Sequence, residues 1–196
     1  MNNKAQYLET LYEKSREDLQ AFVVFGQSVF GVGNPDSPIV FIGEAPGRFE
    51  AEQGIPFVGA AGKNLDGLIE ACGVKREEIY ITNAVKFRPV KDGAREGSYT
   101  NRAPNRKELE LCHDILMAEL SIIQPKIVAT LGNVPLRAIY QKGAPTVGDV
   151  HGQLLHDDRF PFDIFPLYHP ASVIYNRSLA DTLAEDMAHL AELLKA

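Results

Sequence analysis

Four short runs of the chain are apolar almost throughout and stop abruptly at turn residues: PIVFIG at 38–43, EIYITN at 78–83, KIVATLG at 126–132 and FDIFPLYHP at 162–170. Unbroken apolar runs of this length predict strands buried on both faces, the pattern of a parallel sheet. Between them the apolar positions recur every third or fourth residue. Leu65, Leu68, Ile69 and Cys72 form such a stripe before Gly73, and Leu109, Cys112, Leu116 and Leu120 form another before Pro125. These are helices with ordinary stop signals. The second starts at PNRKE, where Asn105 is placed to cap and Glu108 to close a capping box. Leu179, Leu183, Met187, Leu190 and Leu194 make a last stripe, and TLYEKSREDLQAF supplies a helix near the N-terminus. Strands alternating with helices predict an α/β fold with a parallel sheet between helix layers. No repeat, linker or break interrupts the pattern, so residues 1–196 read as one domain.

The connection after the first strand is unusual. Residues 44–59, EAPGRFEAEQGIPFVG, hold glycine turns, prolines and three glutamates where a few residues would suffice. Longer ordered connections tend to bind or react with something. In sheets of this kind ligand sites form outside the carboxyl ends of the strands. The first strand runs into Glu44, the second ends at Asn83, the third ends in Gly-Asn and the fourth leads to His169. Singly, each reads as a turn former, a cap or a surface residue. Together they deliver a carboxylate, an amide and an imidazole to one rim, which marks one site.

Composition narrows the class. At 45% hydrophobic and 23% charged residues the chain is an ordinary globular one. No apolar run approaches the roughly 20 residues needed to span a bilayer. The N-terminal MNNKAQYLETLYEKSRED is charged and amphipathic, unlike a signal peptide, so a cytoplasmic monomer without membrane contact is expected. Cys72 and Cys112 both fall on apolar helical faces and read as reduced core residues. A formal charge of −6 argues against general affinity for nucleic acid, though not against a local basic patch.

GEAPG followed by GIPFVGAAG, then ITNAVKFRP, KIVATLG and YHPASV, resembles the bacterial and archaeal family-four uracil-DNA glycosylases in motif order and spacing over residues 29–190. The resemblance implies a three-layer α/β/α sandwich with a four-stranded parallel sheet. It also implies hydrolysis of the bond between uracil and deoxyribose in DNA. One departure stands out. Members of that family usually carry cysteines for a [4Fe-4S] cluster: a pair near the N-terminus, one in a VKCRP-like motif and one in the following helix. Here no cysteine precedes Cys72, Phe87 stands in the motif's third place, and only Cys112 matches. One thiolate does not hold such a cluster. None is expected, with Phe87 and its neighbours filling the space.

The chemistry implied needs negative charge beside an oxocarbenium-like sugar and donors at the departing base. By resemblance Glu44 stabilises the cation and orients or deprotonates the water, while His169, as a neutral donor, bonds uracil O2. Asn83 offers donor and acceptor to the uracil edge, Phe57 stacks on the flipped base, and Gly43 and Ala45 complete the uracil-binding set. Ala45 stands where the first glycosylase family has a catalytic aspartate, which shifts the burden to Glu44. Gly47 stands where that family has a thymine-blocking tyrosine; Glu50 is the candidate for that task here, and Ala51 replaces the aspartate family four usually has beside it. Residues 86–107 hold seven Lys/Arg against two Asp/Glu, a local +5 that leaves −11 on the remainder. Lys86, Arg88, Lys91 and Arg95 are therefore candidate phosphate contacts. Ser172 and Val173, or Ile174 in its place, would enter the minor groove with Arg177 near the backbone. No histidine lies between Phe87 and Cys112 to trap an abasic sugar covalently, so turnover is expected. The alternatives are a non-catalytic binder of lesions or abasic sites, which leaves the presence of Glu44, Phe57, Asn83 and His169 together unexplained, and an unrelated nucleotide-binding enzyme. The latter would need a P-loop lysine or a GxGxxG turn, and the chain has neither.

Overall fold

Alternate residues of one strand point to opposite faces of a sheet, and here both faces are covered. The computed structural model describes residues 3–195. In chain order its main elements are α1 (Asn3–Leu19), β1 (Val32–Gly33), β2 (Ile39–Gly43), α2 (Arg48–Gln53), α3 (Ala60–Ala71), β3 (Tyr80–Asn83), β4 (Val90–Asp92), β5 (Tyr99–Asn101), α4 (Arg106–Ile123), β6 (Ile127–Leu131), α5 (Asn133–Tyr140), α6 (Val147–Val150), β7 (Asp163–Leu167), α7 (Ser172–Tyr175) and α8 (Leu179–Leu193). Val40, Ile42, Val128 and Ile164 face one core with Leu8, Tyr12, Leu116, Leu120, Leu136 and Ile139 of α1, α4 and α5. Ile39, Phe41, Ala129 and Phe165 face the other, with Leu65, Ile69, Leu183, Met187 and Leu190 of α3 and α8. Helices thus flank the sheet on both sides.

The four predicted strands are present and mutually parallel, in the order β3-β2-β6-β7. The sheet is nevertheless five-stranded and mixed, because β1 pairs antiparallel with β3 at its edge. That strand is two residues long, too short to leave a hydrophobic pattern. The fourth predicted strand also ends earlier than expected, at Leu167, so His169 stands in the loop beyond it. The basic segment expected as a loop contains a hairpin, with Val90 opposite Asn101 and Asp92 opposite Tyr99.

The helix stripes fall where periodicity placed them. At the start of α4 the Asn105 side chain accepts from the Glu108 N–H at 3.0 Å, and the Glu108 carboxylate accepts from the Asn105 N–H at 2.7 Å. This is the reciprocal cap anticipated above. Arg102 adds a two-pronged ion pair to the same carboxylate, at 2.6 and 2.7 Å. The hairpin's exit is therefore fastened to the start of α4. Among the described residues no helix is long and apolar enough to cross a membrane.

Cys112 is fully buried and packs in one core with Phe87, on whose ring Phe22 stacks at 5.9 Å. Cys72 is half-buried on the other side of the sheet. Among the described residues no group of three or more His, Cys, Asp or Glu is placed to hold a metal ion. With one thiol at the place and aromatic rings around it, the residues present do not fit an iron–sulfur cluster.

Candidate active site

The long connection after β2 is ordered, and two clamps explain how. Its first part winds into α2, which turns Glu50 back toward the chain. One oxygen of that carboxylate accepts from the N–H groups of Val58 and Gly59, at 3.1 and 2.8 Å. From the other side Arg76 donates to the Pro56 carbonyl at 2.9 Å and pairs with Asp66. Phe57 lies between the clamps with φ at +56°, a left-handed conformation that is strained for a bulky side chain. Such strain costs on the order of 1–3 kcal/mol. Each hydrogen bond from an amide to a carboxylate contributes roughly 1.5–3 kcal/mol, so the Glu50 clamp is large enough to hold it. Two glycines make room: a Cβ at Gly62 would run into the Phe57 carbonyl, and one at Gly43 would overlap both the Phe57 ring and the Asn83 amide oxygen.

The ring so held borders a cavity of about 340 Å³, lined also by Ala45, Phe49, Glu50, Asn83, Asn101 and His169. The Phe57 and His169 ring planes are inclined by 27°, with centroids 6.3 Å apart. Asn83, the last residue of β3, is 3% exposed and delivers its amide from the sheet rim. A second hollow of about 240 Å³ adjoins the first and is lined by Glu44, Pro46, Pro89 and Arg102; Ala45, Gly47, Asn101 and His169 border both. The carboxylate and the aromatic-walled pocket therefore sit on either side of His169 and Asn101.

Both titratable groups are shifted by burial. Desolvation raises the Glu44 carboxyl above its ordinary value and lowers His169 below the usual imidazole range, so His169 is neutral at pH 7. The Ala171 N–H donates to His169 Nδ1 at 3.1 Å. An accepting Nδ1 puts the proton of the neutral ring on Nε2, which makes that nitrogen a donor. The ring's loop is fixed by Ser172, whose hydroxyl donates to the His169 carbonyl at 2.6 Å, and by Asn64 of α3, which donates to the Pro170 carbonyl.

The structure therefore brings Glu44, Ala45, Glu50, Phe57, Asn83 and His169 together, while several other residues lie elsewhere than anticipated. Gly43 is buried beneath Phe57 and Asn83 and lines neither hollow; it serves by having no side chain. Lys86 is wholly buried and paired with Glu119, out of reach of any phosphate. Arg88 is 5% exposed: its guanidinium lies over Phe25 and donates to Asn101 Oδ1 at 2.7 Å and to the Tyr99 carbonyl, pinning the hairpin. Charge pattern alone does not separate a solvated cation from a buried one. Lys91, Arg95 and Arg177 are exposed. Val173 is half-buried and packs against the core that holds Phe57, whereas Ile174 and Tyr175 project, at 56% and 90% exposure.

Asn101 went unnoticed in the sequence. Arg88 takes its carbonyl oxygen, which turns its NH₂ group toward the cavities. The available signal was the Val-Lys-Asp and Tyr-Thr-Asn pair around a glycine-bounded turn, a hairpin pattern that folds Asn101 back toward Asn83. Gly47 carries another clue. A Cβ there would come within 2.7 Å of Glu50 Oε2, so the Glu50 carboxylate occupies the place where a side chain at 47 would begin.

Comparison with known proteins places these features in a family. Residues 30–195 match the family model described as the uracil DNA glycosylase superfamily. The chain is 37% identical over 168 residues to a type-4 uracil-DNA glycosylase of Archaeoglobus fulgidus, covering 83% of this chain and 80% of that protein. It is 38% identical over 172 residues to one from Sulfurisphaera tokodaii, at 85% and 74% coverage, and 34% identical over 175 residues to one from Thermotoga maritima, at 85% and 83%.

Proposed function

The chain belongs to the uracil-DNA glycosylase superfamily, and on that footing we propose that it hydrolyses the N-glycosidic bond of uracil in DNA, flipping the base and leaving an abasic site. The observation that carries the reading is the paired arrangement of hollows. An aromatic-walled pocket with an amide at its base adjoins a recess with a half-buried carboxylate, and a neutral imidazole stands between them. In this reading the pocket takes uracil, stacked on Phe57 with its edge against Asn83. The recess takes the deoxyribose, with Glu44 below the anomeric carbon.

The chemistry follows from the groups. As the glycosidic bond lengthens, positive charge grows on the sugar and negative charge on the base. Glu44, ionised, stabilises the first and aligns or deprotonates the attacking water. His169 Nε2–H donates to uracil O2 as charge gathers there, and its fixed tautomer removes any need to reorganise at that moment. Asn83 presents a donor and an acceptor that match uracil N3–H and O4 and mismatch cytosine. Glu50, lying where a side chain at 47 would be, leaves no room for thymine's methyl group. Ile174 and Tyr175 are the side chains offered to the duplex gap, and exposed Lys91, Arg95 and Arg177 are its phosphate contacts.

The test is excision from a labelled uracil-containing oligonucleotide, followed by alkaline cleavage at abasic sites. Wild-type protein cleaves at uracil, while Glu44→Gln and His169→Ala each lower the single-turnover rate by at least about 10²-fold without unfolding. Binding to abasic DNA with no excision by wild type would favour the lesion-binding alternative, and unimpaired rates in both variants would displace the site.

A further inference from the structure

Lys86 is the last residue expected in a core, and its surroundings give it a task. Its ammonium has three N–H donors and meets three acceptors: Thr82 Oγ1 and the Asn83 carbonyl, each at 2.7 Å, and Glu119 Oε2 at 2.5 Å. Both Lys86 and Glu119 side chains are fully buried. The carboxylate is itself over-determined. Its other oxygen accepts from the Tyr12 hydroxyl at 2.8 Å, the Gly31 N–H at 3.3 Å and the Thr82 hydroxyl at 3.3 Å. Tyr12 spends its proton on Glu119, so Tyr80 is the donor in the Tyr12–Tyr80 bond. Burial first, and the Glu119 carboxylate second, push both phenols up, so both remain donors at any physiological pH. The result is a satisfied polar network joining α1, the segment before β1, β3 and α4.

One end of this network leaves the core at the Asn83 carbonyl. Asn83 is the last residue of its strand, and the chain turns directly after it: the Ala84 N–H donates to the Gly43 carbonyl at 2.8 Å and the Val85 N–H to the Glu44 carbonyl at 3.0 Å. The peptide after Asn83 is thus held at its N–H by the neighbouring strand and at its C=O by Lys86. The two bonds anchor the backbone on the C-terminal side of the Asn83 Cα, the atom from which the side chain departs.

We propose that Lys86 is a positioning residue for base recognition, its buried ammonium fixing the Asn83 carbonyl and thereby the amide that faces the base pocket. The inference rests on the reading of Asn83 as the residue that meets the base. Hydrogen-bond discrimination requires the contacting group to be held within about 0.5 Å, and a buried charge with three fixed partners is a means of doing so. An apolar side chain of similar length in place of Lys86 leaves the carbonyl unpaired and the peptide held at its N–H end alone.

The experiment separates positioning from mere stability. Inhibition by free uracil reports the base pocket, and affinity for an abasic-site oligonucleotide reports the DNA surface without it. Lys86→Met is expected to weaken uracil inhibition by at least about tenfold while abasic-DNA affinity stays within about twofold. Because that variant leaves Glu119 buried and unpaired, Lys86→Met/Glu119→Gln is made alongside it; removing both charges spares the fold, and the same loss of uracil inhibition is expected. Tyr12→Phe cuts the network at its far end, lowering the melting temperature with uracil inhibition within about twofold of wild type. Unchanged uracil inhibition in the double variant, or an equal loss in Tyr12→Phe, would overturn the positioning role. Wild-type protein indifferent to free uracil and inactive on uracil DNA would overturn the underlying reading of the site instead.

Discussion

Histidine 169 shows how a single residue's surroundings choose its role. Its Nδ1 is occupied by the Ala171 N–H and burial holds its pKa below the ordinary range, so the ring is neutral with its donor at Nε2, as the proposed role requires. Glu44 is shifted the other way, upward, by the same cause. The consequences for pH follow in sign. The proposed mechanism needs Glu44 ionised, so excision should fall on acidification at a higher pH than an ordinary carboxylate would give. Protonation of His169 comes only at a lower pH than an ordinary imidazole, and the neutral ring keeps its Nε2–H into alkali. The rate should therefore rise along an acid limb and stay level through neutral and mildly alkaline buffers, and the residual rate of Glu44→Gln should lose that limb. A fall above neutral pH that vanishes in His169→Ala would mean that a cationic acid is at work. Asn83→Asp tests the pocket itself: exchanging the amide donor for an acceptor should lower uracil excision by at least about tenfold and turn what remains toward cytosine. Glu44, Asn83 and His169 were legible because each lies at or just past the carboxyl end of a strand: Glu44 follows β2, Asn83 ends β3 and His169 stands two residues beyond β7. Lys86 and Arg88 were not, since their basic neighbours suggested a surface and only the packing of Glu119 and Phe25 around them reveals a core.

Elements were legible in proportion to the length of their pattern. The long stripes of α4 and α8 and the apolar runs of β2, β3, β6 and β7 signalled themselves. The two-residue β1, the single-turn α6 and α7 and the three-residue hairpin strands could not. The N-terminus of α4 joins the two groups, because its capping box was readable while Arg102, which ties the hairpin to it, was not. Glu108 is held below the usual carboxylate range, chiefly by its bonds to Arg102 and further by the Asn105 N–H, against a burial effect in the other direction. A carboxylate with a depressed folded-state pKa contributes stability above its unfolded value of about 4.3, lost as pH falls through the folded value. Glu108→Ala should therefore cost about 1–3 kcal/mol at neutral pH and flatten the acid side of the stability curve. Denaturant titrations at several pH values would check it, and a variant as stable as wild type at neutral pH would show the clamp to be idle.

Across the whole molecule two features follow from what fills its ends. Phe87 and Cys112 share one buried core, with the exposed Phe22 ring stacked on Phe87, so purified protein should be colourless and should keep its fold and any excision activity after chelation; stoichiometric iron and sulfide in anaerobically purified material would contradict this. The second feature is charge. A chain of net −6 must approach a polyanion through its basic segment, yet of the cations there Lys86 and Arg88 are buried. The surface charge open to DNA on the hairpin is thus carried by fewer groups than the sequence suggests, with Lys91 and Arg95 exposed on it. Each phosphate contact contributes close to one unit to the slope of log affinity against log salt. Lys91→Glu and Arg95→Glu should each weaken binding to uracil, abasic and undamaged DNA alike and flatten that slope by about one unit, leaving base preference intact. Asn83→Asp should do the reverse, altering base preference with the slope untouched. Measured together over several salt concentrations, the two kinds of variant separate the surface that finds DNA from the pocket that reads it; a hairpin variant with an unchanged slope would place the DNA path on another face of the protein.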